Sequence, residues 1–138
     1  MIRYADYMKC LYDAMLGVTD AVYIKDRPQA VSKRTKTFCV VDVSNWIRNK
    51  EIDNGGDFDW YNAIVYISLF VRDKETSDAV NQLDIMKMDE LIKKTEAKFP
   101  IERRDLNVKI CNPRMLVSTS DENGFHYTLI SASLTTYF

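Results

Sequence analysis

The sequence predicts an α+β fold, a mostly antiparallel sheet of about four strands with two helices packed on it. Three observations carry that expectation. Apolar residues recur at helical spacing near the N-terminus and again after residue 76. Two β-branched apolar runs lie between them, at 37–43 and 60–72. The last third alternates apolar and polar residues around a turn-forming tetrapeptide. The length of 138 residues fits one domain, 1–138, and 46% hydrophobic with 28% charged residues is a globular composition.

Residues 2–17 read as the first helix. Tyr4, Met8, Leu11, Met15 and Val18 form an apolar stripe, widened by Tyr7 and Leu16, that faces the core or else a partner, and Gly17 is the expected stop. A basic loop follows over 25–36. Lys25, Arg27, Lys33, Arg34 and Lys36 are opposed there by Asp26 alone. Thr37 to Val43 (TFCVVDV) reads as a strand. Residues 44–58 read as a long connection with a turn at Asn54-Gly55-Gly56, or as a hairpin, and the second half is acidic. Trp60 to Arg72 (WYNAIVYISLFVR) is apolar on both faces, which predicts a strand central in its sheet.

Thr76-Ser77-Asp78 offers an N-cap for a second helix running to about Lys98 and ended by Pro100. Leu106, Val108 and Ile110 alternate as a half-buried strand does. Asn112-Pro113 interrupts it, and Met115 to Ser118 resumes it. Asp121-Glu122-Asn123-Gly124 is a hairpin turn, and Phe125 to Phe138 reads as one long uncharged strand that reaches past the sheet or bends. The terminal pair Tyr137-Phe138 calls for cover, from the core or from another subunit.

The chemistry-bearing residues are sparse. Cys10, Cys39 and Cys111 are odd in number, widely spaced and set among apolar neighbours, which excludes a CxxC zinc site and reads as buried thiols in a reducing compartment. His126 stands alone, so neither a histidine zinc site nor a Ser-His-Asp triad is expected around it. Four glycines in the whole chain leave no phosphate-cradling loop. Gly55-Gly56-Asp57-Phe58-Asp59 only partly matches the GGDEF signature of diguanylate cyclases and reads as a turn before a strand; Asp53, Asp57 and Asp59 read as a solvated acidic loop. We therefore expect no catalytic, cofactor-binding or metal residue and no enzyme activity. The N-terminus lacks the apolar segment of a signal peptide and no run is long enough for a membrane span.

The charge is small overall, net −1, but segregated: a basic stretch at 25–36 and an acidic one at 51–59. A subunit with patches of opposite sign can join head to tail with copies of itself, and such a contact makes a ring where the rotation closes. The residues expected at that interface are Lys25, Arg27, Lys33 and Arg34 on one side, Glu51, Asp53 and Asp57 on the other, with Tyr137 and Phe138.

The segments TFCVVDV at 37–43, NAIVYISLFVR at 62–72, TSDAVNQLDIMKMDELIKK at 76–94 and YTLISASLTTYF at 127–138 carry a resemblance. In this order the chain resembles the tail terminator and neck proteins of tailed bacteriophages. The likeness lies in architecture and spans nearly the full length, without a short diagnostic motif, so no individual residue role transfers. It implies a ring in the virion, assembled in the host cytoplasm, that caps the tail tube and joins it to the head. Its implied partners are copies of itself, other tail and neck proteins, and DNA threading the ring. The alternative reading of the same residues is a stand-alone protein-binding adaptor domain inside the cell.

Overall fold

The computed structural model describes residues 4–43, 48–52, 58–75, 82–116 and 118–136, and for 48–52 and 58–61 the backbone alone. Within these residues the chain runs α1 (Tyr4–Met15), β1 (Ala21–Ile24), β2 (Thr37–Val43), β3 (Arg48–Ile52), β4 (Phe58–Arg72), α2 (Ile85–Glu96), β5 (Ile101–Arg103), a 3-10 turn (Arg104–Leu106), β6 (Val108–Met115), β7 (Thr119–Ser120) and β8 (Phe125–Thr136). All eight strands belong to one sheet, ordered β1-β2-β4-β8-β6-β5, with β3 paired to β4 and β7 to β8.

This overturns the expected four-strand sheet layered under two helices. The chain is mostly sheet, and the sheet curls into a half-barrel. The four additional strands, β1, β3, β5 and β7, are two to five residues long and flank the long ones. The long pair sets the shape. β8 is paired along its whole length with Tyr61 to Arg72 of β4. Of the two alternatives for the last strand, Phe125–Thr136 does not project beyond the sheet but follows its curl. β4 has 15 residues, roughly 50 Å of chain at strand rise. β2 covers its C-terminal half and β3 its N-terminal half on the same side. Twist accumulated along such long strands curls the sheet. A register shift between Cys111 and Arg114, at Asn112-Pro113, adds a local bend in β6.

Strand alternation divides the apolar residues between two faces. One face carries Val41, Val65, Ile67, Ile110, Ile130 and Leu134 and is covered by Tyr7, Leu11 and Met15 of α1 and Met88 and Leu91 of α2. The other carries a smaller aromatic core of Phe38, Val40, Phe70 and Phe125, with Tyr23, Val31 and Tyr127 packed around it. Phe38 stacks on Phe70 at 4.4 Å between centroids and meets Phe125 edge-on at 5.0 Å.

The helix ends have local causes. α1 stops before Gly17, whose φ of +85° belongs to the left-handed region that other residues rarely adopt. α2 begins at Ile85, later than the expected start near residue 78. Residues 76–81 lie outside those described, but Gln82 is bridged to Lys74, and Asp84 caps the helix by accepting from the Lys87 amide at 3.2 Å.

Candidate assembly surfaces

The basic segment 25–36 connects β1 to β2, which lie parallel, so it must return across the sheet. It does so over the aromatic face, where Val31 packs. Arg72 at the end of β4 holds it. Its Nε donates to the Thr35 carbonyl at 3.1 Å, its Nη2 to Thr35 and Ser32 carbonyls at 2.8 and 3.1 Å, and its backbone amide to Lys36 at 2.9 Å. The same guanidinium lies 4.7 Å above the Phe125 ring.

Of the four cations expected at the interface, the structure separates one from the rest. Lys25, Lys33 and Arg34 are exposed. Arg27 instead turns inward. Its guanidinium sits 5.6–5.8 Å from the rings of Phe38, Phe70 and Phe125. Its Nη2 lies 2.9 Å from Asp121 Oδ2, a charge contact rather than an aligned hydrogen bond. Asp121 is itself nearly buried, and its Oδ1 accepts from the Asn123 and Phe125 amides at 2.7 and 3.1 Å. Arg27 thus closes the aromatic core and ties the basic segment to the turn before β8. Composition gave no sign of this, because it counts a charge without its direction.

On the acidic side Glu51 lies in β3, where its backbone pairs with Trp60 of β4; its side chain is outside the described residues. Asp53, Asp57, Tyr137 and Phe138 lie outside them altogether. The backbone pairing of β3 with β4 resolves the 44–58 connection as containing one arm of a hairpin.

His126 Nδ1 is 2.6 Å from Asp73 Oδ1, with both side chains largely covered. The pair links the start of β8 to the end of β4, beside the Asp73 amide that donates to the Gly124 carbonyl at 2.8 Å. Ser120 of β7 is the cross-strand partner of His126, and among the described residues no group of three or more His, Cys, Asp or Glu is gathered. Among the same residues no helix is long and apolar enough to cross a membrane. Cys10 and Cys39 are buried free thiols and Cys111 is half-buried. Burial pushes the Cys39 thiol up to about 11 against a weaker opposing hydrogen bond from Thr19.

Apolar side chains are left in water at the two ends of the sheet, and of these sequence reasoning singled out only Tyr4 and Leu16, in the α1 stripe. Tyr4, Leu16 and Ile24 are exposed at the β1 end, and Met115 and Leu116 at the β6 end. Their signal is spatial, since β1 and the Met115 end of β6 lie at the edges of the sheet.

No protein-family model and no curated protein matches the chain.

Proposed function

We propose that the chain is a non-enzymatic structural subunit that forms a ring at the head–tail junction of a tailed bacteriophage, as tail terminators and neck proteins do. Copies joined head to tail would cap the finished tail tube and connect it to the head. Other tail and neck proteins would sit on the two ring faces and DNA would pass through. The proposed location is the virion, with assembly in the host cytoplasm.

The observation that carries this reading is the sheet that curls through half a barrel and stops. Full closure removes sheet edges; a half-barrel keeps two. These edges are unlike, β1 on one side and β5–β6 on the other. Unlike surfaces make heterologous contacts, and heterologous contacts propagate around a ring. The exposed cations Lys25, Lys33 and Arg34 add a directional electrostatic element to one side.

The test is the state of the purified chain. Sedimentation and negative-stain electron microscopy should show closed rings with a central channel wide enough for duplex DNA. A monomer at all concentrations, without capping of tail tubes when mixed with them, would remove the reading.

A further inference from the structure

Pairing register runs straight across the sheet. Ile24 of β1 is partnered with Val41 of β2, Val41 with Ile67 of β4, Ile67 with Ile130 of β8, and Ile130 with Met115 of β6. Directly partnered residues point to the same face, so these five side chains form one apolar row on the helix-covered side. Its three inner members are at most 2% exposed, whereas Ile24 is 52% and Met115 55% exposed. The row therefore begins and ends in water at opposite edges of the sheet. Leu116, next to Met115, is 58% exposed.

Each edge also has a groove between a helix and its outer strand. At the β1 edge, Tyr4, Met8 and Tyr12 of α1 face Ile24 and Lys25 across an apolar groove. At the β6 edge, Glu96 and Phe99 border Cys111, Asn112 and Pro113. The charges at the rims are complementary. Lys9 at the first groove is engaged by Asp13 at 2.8 Å, and Lys109 at the second faces Glu102 at 3.7 Å. Lys25 on one rim and Glu96 on the other, the latter also acting on Lys93, are exposed charges of opposite sign.

We infer that the two sheet edges are the two halves of one contact between copies of this chain. Met115 and Leu116 of one copy seat in the α1–β1 groove of the next, against Ile24, with Lys25 facing Glu96. Side chains make this contact, rather than an extended strand ladder. Pro113 has no amide hydrogen to offer on the β6 edge, and the Ile24 carbonyl already accepts from the Asp26 amide at 2.8 Å. Methionine suits the role because its flexible thioether fills an irregular groove. The inference rests on the ring reading and gives it a specific junction.

A heterologous junction has a signature that an isologous one lacks. Ile24→Asp spoils one edge and leaves the other intact; Met115→Asp does the converse. Each variant alone should sediment as a monomer. Their equimolar mixture should form a two-chain complex with a single junction and nothing larger. Both positions are exposed, so unchanged circular dichroism and thermal midpoint are expected of each. A second pair tests the charges: Lys25→Glu and Glu96→Lys should each weaken self-association at least tenfold, and the double variant should restore it. If the wild-type chain forms rings and both aspartate variants still do, or their mixture stays monomeric, the junction lies elsewhere and the ring reading survives. If the wild-type chain never self-associates, alone or when mixed with tail tubes, both fall. A wild-type closed dimer with the same mixing behaviour would keep the junction and discard the ring.

Discussion

Cys39 shows how one buried side chain ties stability to pH. It lies on β2 within the helix-covered core and is fully buried. Burial raises its thiol from 9.0 to about 11. Below pH 9 the thiol is protonated in both folded and unfolded chains, and its contribution is fully present. Between pH 9 and 11 the unfolded chain loses this proton while the folded chain keeps it, so unfolding gains and stability falls. At about 1.4 kcal/mol per tenfold change in proton affinity, the gap corresponds to about 3 kcal/mol across that window. Cys39→Val fills nearly the same space and has no proton to lose. Denaturant titrations at pH 8, 9, 10 and 11 should show a shallower decline for the variant than for the parent chain. Parallel declines would mean that other groups carry the alkaline loss.

At the scale of the element, the basic segment 25–36 behaves as a strap and not as a free loop. Arg72 holds its C-terminal half by three carbonyl contacts, and Arg27 holds its N-terminal end through the aromatic core and Asp121. Arg27→Ala would uncover three rings and leave Asp121 nearly buried without its cation. Losing one partner of a covered pair costs several kcal/mol when burial is complete. With the Arg27 side chain 24% exposed, a loss of about 2–3 kcal/mol is expected, read as a lower denaturation midpoint. Unaltered stability with altered assembly would return Arg27 to the interface group. The long elements were legible because they are long. TFCVVDV at 37–43 is β2 to the residue, and the two-sided apolarity of 60–72 belongs to β4, which is central as expected. The short strands were not legible. AVYI in β1 and IER in β5 are too few residues to show a period, and they owe their strand state to the neighbours they pair with. Missing them is what turned an eight-stranded curled sheet into a four-stranded layer. The direction of Arg27 was hidden for a related reason: its partners Phe70, Asp121 and Phe125 are distant in sequence and meet it only through the sheet register.

For the whole molecule, a net charge of −1 conceals an uneven distribution. Lys33 and Arg34 stand exposed in the C-terminal half of the strap, between the Ser32 and Thr35 carbonyls that Arg72 holds, so their positions are fixed relative to the edges. Fixed charges steer the approach of a partner more than they tighten the final contact. Apolar side chains such as Ile24, Met115 and Leu116 act only at contact range. On the ring reading, these two contributions separate by salt. At about 0.1 M ionic strength charges act over roughly 10 Å, and at 1 M over roughly 3 Å. Lys33→Glu combined with Arg34→Glu should therefore slow assembly about tenfold in low salt, as followed by light scattering after dilution from a dissociating condition. The difference from the parent chain should close at 1 M salt, where steering is screened and the apolar contact remains. The rate at which assembled rings come apart should change little in either condition. Equal assembly rates in low salt would leave these two cations as solvated surface. A defect that persists at 1 M salt would instead place them inside the contact itself, where reversal acts at short range and screening by salt is weak.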